Sequence, residues 1–203
     1  MSTSSTPDAQ ALLQAAIEAN QHGDAEQALA LLQQSVAAQH LNPVAHYLLG
    51  TEYAQTKRYG DAVLHMTTAV EQAPELWTAR LQLGLLWLTL ANPATAVAQL
   101  QPLTALPDTD ALHHFGVGLT QLAGDDLPAA HAALTRGLDI GCDNSPLLGD
   151  MRLLLSSIES AMQQQQQAAA AATPAPALDP ATLASMQHGM AISAYTGREP
   201  NDR

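Results

Sequence analysis

Apolar residues recur along this chain with a period near 3.6, in stretches that polar and helix-breaking residues interrupt at regular intervals. One stretch places four apolar residues on a single face of a helix: Ala28, Leu31, Leu32 and Val36. An N-cap residue followed by proline, which favours the start of a helix, stands at Asn42-Pro43, Asn92-Pro93 and Ser145-Pro146. Such signals fall roughly every 15–20 residues, about one helix and a tight turn. The pattern predicts eight helices in antiparallel pairs and a ninth from about Pro146.

A short motif repeats in step with these helices. The pair Leu49-Gly50 recurs as Leu83-Gly84, and an aromatic residue follows each pair at the same distance. The next such pair, Phe115-Gly116, comes two residues earlier than the same interval would place it, which predicts a small insertion near Pro128 in the helix that follows. Repeated helix pairs of this kind bury a continuous core by stacking, and a single pair is not stable alone.

These residues resemble the motif of the tetratricopeptide-repeat family. Segment 43–76 matches best, with His46, Leu49, Gly50, Tyr53, Tyr59, Ala62, Met66, Ala69 and Pro74 at motif positions. Segment 77–107 keeps most of the motif, whereas segments 9–42 and 109–142 keep only part of it. The resemblance implies an all-α fold, a right-handed superhelix of stacked antiparallel helix pairs, with about four tetratricopeptide-like repeats and a capping helix.

Composition and the helix start and stop signals divide the chain into four parts. We expect a flexible N-terminus over residues 1–8 and the repeat array with its capping helix over 9–165. Residues 166–180 are rich in Ala, Gln and Pro and predict a disordered linker. The tail over 181–203 could form a short amphipathic helix, and its apolar residues could dock on another surface, including the protein's own groove: Leu183, Met186 and Met190.

The family resemblance also implies where a partner would bind. In that family, the first helices of successive repeats line a concave groove that binds peptides. The groove positions carry over by alignment to nine residues: Leu13, Ile17, Tyr47, Thr51, Leu81, Leu85, Leu88, His113 and Val117. The segment 75–91 supports this groove independently, because it is apolar on nearly every side and one side would remain after stacking. The alternative is that neighbouring helices cover that side.

Charge and composition exclude several classes of partner and chemistry. Seven Lys and Arg stand against 19 Asp and Glu, and the formal net charge of −12 disfavours nucleic acid and anionic membranes. The N-terminus has no basic and apolar leader, and the most apolar run, 81–91, is too short to span a bilayer, so we expect a cytoplasmic protein. The lone Cys142, the absence of metal-ligand spacings and the absence of a nucleophile or acid–base constellation predict no metal, no cofactor and no enzymatic activity.

The sequence therefore predicts a non-catalytic interaction scaffold that binds an apolar peptide or helix of a partner protein in its groove, as an assembly factor or adaptor. Groove positions without Lys or Arg disfavour gripping of a terminal carboxylate. One alternative is a client-specific chaperone, because small size, low pI and an apolar groove resemble the translocator chaperones of type III secretion. Another is a regulatory subunit of an enzyme complex.

Overall fold

The computed structural model describes residues 8–171 of the 203-residue chain. Over these residues the protein is helical, with no β-strand: α1 (Ala9–Gln21), α2 (Ala25–Ala38), α3 (Pro43–Gln55), α4 (Tyr59–Gln72), α5 (Trp77–Thr89), α6 (Pro93–Leu100), a 3-10 helix (Gln101–Ala105), α7 (Ala111–Ala123), α8 (Leu127–Ile140) and α9 (Ser145–Ala171). The all-α prediction is confirmed. The predicted N-terminal segment, apart from Asp8, and the tail with Leu183, Met186 and Met190 lie outside the described residues.

The helices begin where short polar side chains can cap them. Seven N-cap residues accept a hydrogen bond from a backbone N–H of the first turn at 2.8–3.3 Å: Asp8, Asp24, Asn42, Asn92, Asp110, Asp126 and Asn144. Such bonds satisfy N–H groups that have no partner within the helix. Prolines at the first helical position follow Asn42 and Asn92 as predicted, whereas Ser145 is the first residue of α9 and Asn144 caps that helix.

The helix boundaries repeat at a constant interval. The first helices of the pairs begin at residues 9, 43, 77, 111 and 145, and the second helices at 25, 59, 93 and 127, so every step along either series has the same length. The insertion predicted near Pro128 is therefore wrong. Because the interval does not change, residues separated by one or two such steps occupy equivalent places in the pairs.

Glycine contacts confirm this register and correct the sequence alignment. A Cβ on Gly50 of α3 would lie 2.6 Å from Met66 Cγ and 3.2 Å from the carbonyl oxygen of Ala62, so α3 and α4 approach closely there. Gly118 of α7 has the equivalent neighbours, at 2.8 Å from Leu134 Cγ and 3.3 Å from the Ala130 oxygen.

Gly116, which the sequence motif had aligned with Gly84, instead approaches the 3-10 helix, where its Cβ would lie 2.7 Å from Leu103 Cβ. The predicted alignment of the fourth repeat is therefore wrong by two residues.

One polar side chain near the start of α3, α5 and α7 forms the same bond in each helix. His46 Nε2 donates to the carbonyl of His40 at 3.1 Å, and His114 Nε2 donates to that of Asp108 at 2.7 Å. In α5 the bond is from Arg80 Nη2 to the Pro74 carbonyl, at 3.3 Å. In all three the acceptor lies six residues before the donor, in the segment that connects the preceding helix to the donor's helix, so the bond fixes that segment to the helix that follows it.

The described residues divide into two compact units, one ending at Leu86 and the other beginning at Trp87. In the first unit the core lies between paired helices and includes Leu32, Leu49 and Met66, all almost fully buried. In the second, Phe115 and Leu134 have the same role.

Helix α9 is the longest of the described helices and packs on α8. Its buried face consists of Leu147, Met151 and Ile158, and His131 Nε2 lies 3.1 Å from Glu159 Oε1. The exposed Arg152 of α9 is the equivalent of Gly118 of α7. A large side chain fits at this position of α9 because, among residues 8–171, no second helix packs on it as α8 does on α7. The boundary predicted between residues 165 and 166 lies inside α9. None of the described helices is long and apolar enough to cross a membrane.

Candidate functional site

The first helices of the first unit, α1, α3 and α5, each carry exposed or half-buried side chains along one side. Residues at spacings of three or four share one side of a helix. On that basis we define the first-helix face by seven residues: Ile17 and Asn20 on α1, Tyr47, Thr51 and Gln55 on α3, and Gln82 and Leu85 on α5. Four of these were predicted to line the groove: Ile17, Tyr47, Thr51 and Leu85.

Two polar contacts join the first helices to one another. Asn20 Nδ2 donates a short hydrogen bond to Glu52 Oε1, which ties α1 to α3. The Thr51 hydroxyl can donate its one proton to Gln82 Oε1 of α5 at 3.3 Å or to the Tyr47 carbonyl of its own helix at 3.1 Å, and the first of these bonds joins α3 to α5. The first helices of successive pairs are therefore neighbours within this unit, as the repeat motif predicts.

Glu52 is a buried acid beneath this face. Only 3% of its surface is exposed, and burial raises the pKa of its carboxyl, while the hydrogen bond from Asn20 lowers that pKa in part. Glu52 was not among the residues predicted from the sequence. The repeat pattern nevertheless contains a signal for it. The equivalent residue on α5 is Leu86, which is buried, and an acid at a buried position needs a polar partner.

The predicted groove residues of the first unit differ in exposure. Leu13 is 4% exposed and Leu81 is 0% exposed, so both fill space between helices and offer no surface to a ligand. Ile17, Tyr47, Thr51 and Leu85 are half-buried. The side of α5 that contains Leu81 and Leu85 is therefore covered at Leu81 and accessible at Leu85. The sequence left open whether this side meets a partner or is covered by neighbouring helices, and each alternative fits one of the two residues.

The remaining predicted groove residues belong to the second unit. Leu88 is half-buried near the end of α5. In the corrected register His113 is the equivalent of Ala45 and Ala79, and Val117 that of Leu49 and Leu83. These four equivalents are buried, whereas His113 and Val117 are half-buried.

His113 also shows the character of a packing residue. Its ring contacts that of His114 edge to face at 4.8 Å, and its buried Nδ1 has no hydrogen-bond partner among the described residues. His113 and Val117 are themselves half-buried, and their assignment to a groove, which was made on the shifted alignment, stays a prediction.

No three His, Cys, Asp or Glu side chains among the described residues come together in an arrangement that could hold a metal ion. Cys142 is a free thiol of intermediate exposure in the turn between α8 and α9.

Comparison with known proteins supports the fold. No protein-family profile matches the chain, and no curated protein matches it in sequence. Solved structures do match. TTC0263, a tetratricopeptide-repeat protein of Thermus thermophilus, has a TM-score of 0.61 at 18% identity over 90% of this chain and 98% of its own. YrrB, described as a tetratricopeptide-repeat protein with an unusual peptide-binding site, has a TM-score of 0.54 at 20% identity over 77% of this chain and 78% of its own.

A third match is MamA of Desulfovibrio magneticus RS-1, from residue 41 to its end. Its TM-score is 0.54 at 19% identity, over 78% of this chain and 92% of its own. At these identities the likeness establishes the fold.

Proposed function

We propose that this chain, which has a tetratricopeptide-repeat-like fold, is a non-catalytic interaction scaffold whose first-helix face binds a peptide segment of a partner protein. The peptide-binding site named for YrrB supports a role of this kind for the fold. The role we propose is that of an assembly factor or adaptor, in which the bound segment joins a partner to this protein.

The observation that carries the proposal is the row of half-buried side chains across three helices. Ile17, Tyr47, Thr51 and Leu85 are each partly accessible, and the contacts Asn20–Glu52 and Thr51–Gln82 hold their helices side by side. A rigid surface with apolar side chains and hydrogen-bonding groups loses little conformational entropy when a ligand binds. Partial exposure leaves apolar area that a ligand can bury.

The experiment selects binders from a random peptide library displayed on phage, with the full chain as bait, and measures the affinity of synthetic copies by fluorescence anisotropy. Ile17→Arg and Leu85→Arg, made separately, should each weaken binding by at least about tenfold, because a buried unpaired cation costs more than the roughly 1.4 kcal/mol that corresponds to that factor.

Leu64→Arg is the matched control, because Leu64 is 61% exposed and lies on the second helix α4, outside the first-helix face. Circular dichroism checks that each variant stays helical. Selected peptides that bind both face variants as tightly as the wild type would refute the proposal. Deleting residues 173–203 tests the predicted docking of the tail, since affinity rises only if the tail competes for the same face.

A further inference from the structure

We infer that the segment bound by the first-helix face is uncharged, and that amide side chains of the face hold its main chain. This inference rests on the proposed function and narrows it to one chemical class of ligand. It applies to the first unit alone, where the register expected from the sequence and the register of the structure agree.

The first-helix face contains no charged side chain, although the protein has a formal net charge of −12. Three of its seven residues are apolar in character, namely Ile17, Tyr47 and Leu85. Of the other four, one carries a hydroxyl group and three carry side-chain amides. A charged ligand group placed here would lose hydration without gaining a counter-charge, which is unfavourable.

Charged residues close to the face in sequence have other partners. Glu18 follows Ile17 on α1, is exposed, and its carboxylate accepts a hydrogen bond from Gln14 Nε2 at 3.2 Å. Glu52 is buried and bound to Asn20. Arg80 of α5 donates to the Pro74 carbonyl. None of these three side chains belongs to the first-helix face, so the seven residues that a ligand would contact there carry no charge.

The amides that join the helices each use one end of the group for this purpose. Asn20 uses Nδ2 to reach Glu52, and Gln82 places Oε1 at 3.3 Å from the Thr51 hydroxyl. The opposite ends are an acceptor, Asn20 Oδ1 on α1, and a donor, Gln82 Nε2 on α5. The exposed Gln55 on α3, between them in helix order, supplies both kinds of atom. Peptide main chain carries the complementary N–H and C=O groups on every residue except proline, whatever its side chains.

The ligand that fits is therefore a neutral segment whose small apolar side chains contact Ile17, Tyr47 and Leu85 while its main chain bonds the amides. Neutral contacts are not screened by salt, and binding releases few counter-ions. Affinity should thus be nearly independent of ionic strength, unlike the binding of a basic segment to an acidic protein.

The test uses the peptides selected on the full chain in the experiment above. We expect sequences depleted in Asp, Glu, Lys and Arg, and an affinity that changes less than about twofold between about 50 mM and about 500 mM NaCl. Replacing two residues of such a peptide by Lys, or by Glu, should each weaken binding at least about tenfold. Selected peptides rich in either charge, or a roughly tenfold loss of affinity in salt, would overturn the inference and leave the proposed function in place. A library that yields no binder, or binders insensitive to Ile17→Arg and Leu85→Arg, would overturn both.

A matched pair of substitutions tests the amide contact directly. Gln82→Glu keeps the shape of the side chain but replaces its donor end by a charged acceptor, so affinity for a neutral peptide should fall about tenfold. Gln34→Glu adds the same charge at an exposed site on the second helix α2, outside the face, and should leave affinity within about twofold. Equal effects of the two substitutions would contradict the proposed contact.

Discussion

The close approach of α3 and α4 at Gly50 gives a sharp test of the helix pairing. A Cβ at Gly50 would lie 2.6 Å from Met66 Cγ, 3.1 Å from the Met66 nitrogen and 3.2 Å from the Ala62 oxygen. The Met66 side chain can move, but the two backbone atoms belong to α4 and move only with that helix. Gly50→Ala should therefore push the two helices apart.

The net effect combines two opposing contributions. Alanine in a helix interior is favoured over glycine by about 0.5–1 kcal/mol. Overpacking at a close helix contact costs about 1–3 kcal/mol. From the middle of each range, Gly50→Ala should thus lower the free energy of unfolding by about 1.2 kcal/mol, within outer limits of about 0 and about 2.5 kcal/mol.

Gly60 provides the control within the same unit. It lies near the start of α4, and its added Cβ would meet no atom within 4 Å, so Gly60→Ala should be neutral or stabilising by at most about 1 kcal/mol. The assay is urea unfolding followed by far-UV circular dichroism. For a slope of about 2 kcal/mol/M, the midpoints of the two variants should differ by roughly 0.6–1.1 M.

The same comparison in the second unit tests the corrected register. Gly118→Ala should destabilise through Leu134 and Ala130, whereas Gly149→Ala on α9, with no atom within 4 Å of its Cβ, should not. Equal urea midpoints for Gly118→Ala and Gly149→Ala, or for Gly50→Ala and Gly60→Ala, would refute these close helix contacts.

Three other substitutions test single parts of the structure by urea unfolding. Burial raises the pKa of Glu52, so its contribution to stability is full below the ordinary value of 4.5 and is lost as the pH rises. Glu52→Gln should therefore be more stable than wild type near pH 7.5 but not near pH 4.5, and an advantage equal at both would contradict this. Burial, and then the neighbouring His46, lower the pKa of His65, so its contribution is present above 6.5 and lost as the pH falls. His65→Gln should lose less stability than wild type on acidification to about pH 5, and equal losses would argue against it. Asp126→Ala removes the N-cap bond of α8 and should cost about 1 kcal/mol, whereas an unchanged midpoint would show that this cap is not needed.

Local chemistry made the helices predictable from the sequence. An N-cap side chain binds backbone N–H groups only two or three residues away, so Asn42 and Asn92 mark the starts of α3 and α6 without knowledge of the rest of the fold. The side chains that contact one another across helices were less predictable. Glu52 and Gln82 were missed because their partners, Asn20 and Thr51, lie 32 and 31 residues away in the chain.

The alignment of the fourth repeat failed for a related reason. Gly116 and Gly118 both lie on α7, and both allow a close approach, but to different helices. The sequence shows two glycines of equal conformational freedom. Only the neighbours, Leu103 for one and Leu134 for the other, decide which glycine is equivalent to Gly50.

The bonds from His46, Arg80 and His114 settle that choice by independent evidence. Each donor bonds the carbonyl six residues before it, and the three donors follow one another at the same constant interval as the helix starts. A two-residue shift in the fourth repeat would move the donor from His114 to Leu112, which has no side-chain N–H. A polar side chain with a fixed acceptor therefore defines the register where the glycines are ambiguous. The same register takes His113 and Val117 away from the positions that Ile17, Thr51 and Leu85 share, so the first unit is where a peptide-binding face is best tested.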